Sequence, residues 1–409
     1  MKGELGTVVL AGSVKIAKQL RRGRRRLALH RLIRPNLWAA DRGRIEASFS
    51  SRINRDDYIV GENKALLYLH PDLRSNKNIN FLKRVLYFAG KTGDRVYRKN
   101  KKELVHYLSR EGISPITLVY EVMRNTEGVD PEKLIIVGEK RQIENELSRA
   151  GFSGACVIEQ GRSVGGNLLR GKRALARKGY GGEHFLVIGG DVPLVTPEGV
   201  RAFLASARGR EGSADMIFGM GSRQELREYI IEHRVEDLGR VGPNYPKKGN
   251  LNKFGIPLVD DLGIWGEKGK RHNLMMGNLF LYRTDAVDMD MINRLYSMRK
   301  MGANPLIYPR LLCNYGVPLF RSIRWKLPVS EAERIFSGIS GLDLKVAYAP
   351  PEIALDLDSY SDLRRISAVY FTRKNVTSDL ELDFRRYIRE KKRSRSKKKH
   401  KIKKSAGKS

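Results

Sequence analysis

The stretch Val187-Ile188-Gly189-Gly190-Asp191-Val192-Pro193-Leu194 closes an apolar run that begins at His184. β-branched residues followed by two glycines, an aspartate and a proline describe a buried strand that delivers a carboxylate to its own carboxyl end. The proline then delays the next helix. A carboxylate so placed can hold a hard cation against phosphate oxygens. The plainer alternative is an aspartate that forms a turn or caps a helix. The paired glycines favour a function, because they let another group pack closely against the backbone.

Similar apolar runs recur on both sides of this one: Thr7–Ala11, Lys133–Val137, Ala155–Glu159, Met216–Met220, Asn278–Tyr282 and Leu344–Tyr348. Helix-like patterns separate them at Ile116–Asn125, Lys140–Ala150, Gly165–Lys178, Glu198–Arg208, Val287–Lys300, Ser330–Gly338 and Ser361–Ala368. Ser330 with Glu333 reads as a capping box. Strands alternating with helices predict an α/β fold: a Rossmann-like, mainly parallel sheet flanked by helices. We expect one domain over 1–370, with insertions at about 14–58 and 71–112, the latter helical and basic. A loop-rich region follows at about 221–275, after an initial helix, then a helical extension at 371–388 and a disordered basic tail at 389–409.

Composition narrows the class. The 409 residues are 41% hydrophobic, enough for one large core with insertions. Cys156 and Cys313 are the only cysteines, so no disulfide framework exists and a reducing cytoplasm is the simplest setting. Leu5–Gly12 is too short to span a bilayer. The formal net charge of +33 concentrates in Lys15–Arg34 and in the tail from Lys391. Either segment could attract nucleic acid or an anionic membrane surface without sequence preference, giving a protein that is cytoplasmic and able to sit peripherally on membranes. Equally, either could be a solvated charge run.

In open α/β sheets ligands bind at the carboxyl ends of strands, so the chemistry is sought there. Leu10-Ala11-Gly12-Ser13 leaves the first strand through small residues, which lets backbone amides approach a phosphate; an ordinary turn is the plainer reading. Asp356 and Asp358 alternate along Ala354-Leu355-Asp356-Leu357-Asp358 and would share a face if that segment were extended. The seven histidines are scattered and form no triad.

The order Leu10-Ala11-Gly12, Glu62-Asn63-Lys64-Ala65-Leu66, Gln160-Gly161 with Asn167, Gly190-Asp191-Val192-Pro193, and Asp358 before Asp362-Leu363 resembles the MobA-like and sugar-phosphate nucleotidyltransferase superfamily. The resemblance implies that Leu10, Ala11, Gly12 and Ser13 belong to a phosphate-binding loop and that Lys64 is the catalytic lysine neutralising phosphate charge. By the same resemblance, Gln160 and Gly161 lie beside the nucleobase and Asp191 and Asp358 hold Mg2+ or Mn2+. Gly277 and Asn278 resemble the Gly-Asn pair that faces the acceptor. The implied reaction joins a nucleoside monophosphate from an NTP to a phosphorylated sugar, polyol or cofactor precursor, releasing pyrophosphate. Here the glycine-rich loop runs straight into the basic insertion. Lys64 can serve only if residues 14–58 loop out and return the chain to the same place, and an arginine of the insertion is the alternative.

Two other readings compete. Asp356-Leu357-Asp358 could be the metal-binding Asp-x-Asp of a glycosyltransferase of similar fold, although it lies late in the chain for that role. A degenerate nucleotide-binding fold could also serve a non-enzymatic nucleic-acid or membrane-binding protein. No basic platform with interleaved aromatic residues is visible, so any nucleic-acid contact is expected to be non-specific.

Overall fold

A computed structural model describes residues 5–11, 63–91, 95–161, 163–212, 214–232, 256–286, 327–358, 360–371, 382–391 and 393–394. Its centre is an eight-stranded mixed sheet. The strands are β1 Leu5–Ala11, β2 Val129–Gly138, β3 Cys156–Glu159, β4 His184–Gly189, β5 Met216–Ser222, β6 Ile256–Val259, β7 Arg271–Arg283 and β8 Leu344–Tyr348. They are arranged β3-β2-β1-β4-β7-β5-β8, with β6 on β7. β3, β2, β1 and β4 run parallel, as do β5 and β8, whereas β7 is antiparallel to β4, β5 and β6. The expected α/β class, with a mainly parallel sheet, therefore holds.

The central strands are apolar on both sides because helices cover both faces, as parallel sheets require. Val9 and Ile136 face a core closed by α3 (Pro115–Arg124), α4 (Lys140–Arg149) and α6 (Pro197–Ala207). Val8 and Val187 face the opposite core, closed by α5 (Val164–Arg177) and α8 (Val329–Ser340). Gly171 of α5 makes that contact close: a β-carbon there would lie 2.5 Å from Cγ1 of Val8.

The stretch at about 71–112, expected to be helical and basic, carries α1 (Asn76–Lys91) and α2 (Arg95–Leu108). A third apolar cluster joins them to α7 (Arg223–Glu232), to α9 (Tyr360–Tyr370) and to Phe384 in the helix at 382–391. Lys391 pairs with Glu103 of α2.

Several expectations change. In the described part of the stretch expected to be loop-rich, β6 pairs with a β7 that starts at Arg271. The capping box does not form, because α8 begins at Val329 and the Ser330 hydroxyl donates to Asp261. Glu333 instead accepts from the amide of Val346 and from Arg210. The insertion at 14–58 and the helix expected at Val287–Lys300 lie outside the described residues, as does the tail expected to be disordered at 389–409 except for 389–391 and 393–394, which are helical. Among the described residues no helix is long and apolar enough to cross a membrane.

Candidate active site

The strand order reverses between β1 and β4: from β1 the chain runs outward to β2 and β3, and on the other side to β4. This switch point leaves a crevice at the carboxyl ends of the strands. Leu10 and Ala11 end β1 there, and the amide of Gly190 donates to the carbonyl of Leu10 at 2.9 Å. Gly190 must lack a side chain, because a β-carbon would meet that of Ala11 at 2.9 Å. Gly12 and Ser13 lie outside the described residues.

Asn63 returns the chain to this point. Its Nδ2 donates to the carbonyl of Ala11 at 3.0 Å, while its Oδ1 accepts from the amide of Ala65 at 3.2 Å and caps the short turn Lys64–Leu66. The motif Glu62–Leu66 does not by itself assign this role to Asn63. The signal was present, since asparagine before a turn is a cap. The turn aims Lys64 at Asp358, with which its Nζ forms an ion pair.

The segment that carries Asp356 and Asp358 is not extended. The amide of Asp358 donates to the carbonyl of Asp356 at 3.1 Å, folding the segment into a turn. Asp356 is 7% exposed, whereas the Asp358 side chain is 42% exposed. The amide of Leu357 between them donates to the carbonyl of Asp191 at 2.9 Å. Two carboxylate-bearing loops, 165 residues apart in the chain by their Asp191 and Asp356 positions, are thereby tied together.

The electrostatics follow from this crowding. Burial, and then the negative charge of Asp356, push the Asp191 carboxyl up to about 6, against the pull of Lys64. Burial alone would lower the Lys64 ammonium, but Asp358, Asp191 and Asp356 outweigh it and raise its pKa. Carboxylates that repel one another around a single lysine form a donor set that a divalent cation would relieve. Among the described residues no group of three or more His, Cys, Asp or Glu side chains is arranged as a metal site. Two carboxylates supplemented by phosphate oxygens suit Mg2+, which is bound in that manner.

The remaining residues flank this centre. Gln160 follows β3, and its amide donates to the carbonyl of Gly138 at 2.8 Å. The Gly161 amide donates to Oδ1 of Asn167 at 2.5 Å, which fixes the turn into α5. Gly277 and Asn278 sit in β7 where its register against β5 shifts. Gly189 faces both sides of the crevice: a β-carbon on it would lie 2.8 Å from Oδ1 of Asp191 and 3.7 Å from Cβ of Asn278. Asn278 is 9% exposed, and its Nδ2 has no hydrogen-bond partner among the described residues. An uncompensated buried donor costs about 1–3 kcal/mol, and an acceptor atom on a ligand there would offset that cost.

The sequence pattern of the MobA-like NTP transferase domain matches residues 85–314, more than half of the chain. The chain belongs to this nucleotidyltransferase family. Asp191, Gln160, Gly161, Gly277 and Asn278 fall within the matched span, while β1, Lys64 and Asp358 lie outside it and reach the site through the sheet and the turns described above. A hypothetical transferase structure from Thermus thermophilus is 18% identical, over 62% of this chain and 87% of its own, with a TM-score of 0.43. CMP:2-keto-3-deoxy-manno-octonic acid synthetase complexed with CTP is 12% identical, over 64% and 89%, with a TM-score of 0.36. The 4-diphosphocytidyl-2C-methyl-D-erythritol synthase of Anaerococcus prevotii is 10% identical, over 64% and 87%, with a TM-score of 0.34. Comparison with curated proteins gives no match. The family assignment rests on the domain match.

Proposed function

We propose that this protein transfers a nucleoside monophosphate from an NTP to a phosphorylated sugar, polyol or cofactor precursor. The observation that carries the reading is the convergence of Lys64, Asp191 and Asp358 at the strand-order reversal. An acceptor phosphate oxygen forms a bond to the α-phosphorus, the bond from that phosphorus to the bridging oxygen breaks, and pyrophosphate leaves. The nucleophile is already ionised, so no general base is required. The barrier is the approach of two anions, which positioning and charge neutralisation lower.

Asp191 and Asp358 would hold Mg2+ or Mn2+, which supplies charge neutralisation of the phosphate oxygens when bound. Lys64, released from Asp358 by the incoming phosphates, offsets charge on the leaving group. The Leu10–Ser13 backbone orients the triphosphate, Gln160 and Gly161 contact the base, and Gly277 with Asn278 contacts the acceptor. In this reading residues 1–370 act as one catalytic unit, and the helical and basic segments after it contribute no reacting group.

Pyrophosphate release from each NTP, with magnesium and a panel of phosphorylated sugars and polyols, tests the proposal against Asp191→Asn. Acceptor-dependent release that is lost in the variant supports it. Release that is equal in parent and variant removes the site assignment, and no release with any acceptor removes the reaction.

A further inference from the structure

On its exposed face α5 carries Gly166, Arg170, Arg173 and Arg177 at intervals of four, three and four residues, which places them in one stripe along the helix. With Leu169 they line an open groove of about 420 Å³. All three arginines are exposed, and among the described residues none pairs with a carboxylate. The nearest order in the groove is internal: Nε of Arg177 donates to the carbonyl of Arg173 at 3.3 Å. The stripe starts beside the crevice, since a β-carbon on Gly161 would lie 3.1 Å from Nε of Arg170.

We infer that this stripe is a binding track for the phosphodiester backbone of a nucleic acid. Guanidinium groups present planar forks that match phosphate oxygens, and three unpaired forks on one helix face have no use inside the fold. From Arg170 to Arg177 the helix rises by about 10 Å, enough to follow more than one consecutive phosphate. Gly166 at the head of the groove leaves room for a backbone to come close.

A membrane surface fits worse. A helix lying on lipid turns its apolar face to the bilayer. The apolar face of α5, with Leu168, Ala174 and Leu175, is already buried against the sheet. Among the described residues the large exposed apolar ones, Leu262, Met276, Tyr370 and Leu382, belong to other parts of the chain. Among the described residues no aromatic ring lines the groove, so the contact these residues make is to phosphates and independent of sequence.

The test uses the full chain and a fluorescent uridylate dodecamer, with binding followed by anisotropy across a KCl series. The comparison is with Arg170→Gln/Arg173→Gln/Arg177→Gln. Contributions of the basic segments at 15–34 and 391–409 are common to both proteins and cancel. The slope of log affinity against log salt should become shallower by about 2, from about 0.7 per phosphate contact. Equal slopes overturn the inference, as does loss of binding to phosphatidylglycerol vesicles with the oligonucleotide slope unchanged. Should the triple variant unfold, the single Arg173→Gln decides by a slope change of about 0.7. Photocrosslinks from 4-thiouridine should fall in the peptide 164–177; crosslinks confined to the terminal basic segments also overturn it. None of these readouts requires turnover, so they stand or fall apart from the proposed reaction.

Discussion

The amide of Leu357 donates a 2.9 Å hydrogen bond to the carbonyl of Asp191. Through this one bond the turn carrying Asp356 and Asp358 is registered against the end of β4. The charge arrangement at the crevice is therefore a property of the backbone as well as of the side chains.

Asp191 is kept in an environment that favours its neutral form, so its effect on stability has a defined sign. A carboxyl whose folded pKa is raised from 3.8 to about 6 stabilises the fold below the lower value, and that contribution is lost as pH rises through the upper one. Asparagine mimics the neutral acid. In the presence of chelator, Asp191→Asn should match the parent near pH 4 and exceed it by on the order of 2–3 kcal/mol at pH 7. Urea midpoints at successive pH values measure this; a gap that does not widen with pH contradicts the burial of charge at this position.

Lys64 should behave differently. Its ion pair with Asp358 is partly exposed, at 27% and 42%, and pairs of that kind contribute about 0–1 kcal/mol. Lys64→Met should therefore unfold within about 1 kcal/mol of the parent while pyrophosphate release falls by about 100-fold or more. A large stability loss with retained turnover would make Lys64 a structural residue.

Asn278 holds a buried donor without a partner among the described residues. Removing such a group relieves a cost, so Asn278→Ala should lose little stability, about 1 kcal/mol or less. In an acceptor titration KM should rise about tenfold or more with a smaller change in kcat. An unchanged KM would take Asn278 out of the acceptor site.

Gly171→Ala sets helix propensity against packing. Alanine favours the helix by about 1 kcal/mol, yet its methyl would press on Val8, at a cost of about 1–3 kcal/mol. We expect net destabilisation in urea, relieved by a second change, Val8→Ala. Additive effects in the double variant would rule out the contact as the cause.

Much of the fold was legible because apolar periodicity and burial agree. His184–Gly189 and Leu344–Tyr348 are strands with the bounds that their apolar runs predict. β6 was not legible, since Pro257 sits among only four residues, and the polar start of β7 at Arg271-His272-Asn273 reads as loop until its pairing with β6 is known. Nor can local pattern show that β7 runs antiparallel between β4 and β5. Ser330 illustrates the same limit: its hydroxyl goes to Asp261, 69 residues earlier, and this contact displaces the local capping partner. At the candidate site, the sequence places Asp356 and Asp358 two residues apart, whereas the turn between them depends on backbone bonds that no spacing encodes.

The clasp between Asn63 and Ala11 has a consequence for how the chain can be altered. Because these residues meet at 3.0 Å, the span between them enters and leaves the sheet through one doorway. Loop-closure cost grows only logarithmically, so the length of that span is nearly uncoupled from the geometry beyond the doorway. Within that span, residues 14–58 are thus a natural port in the architecture: foreign sequence of very different length could be spliced there, with Leu10–Ser13 and Asn63 kept and the sheet left in register.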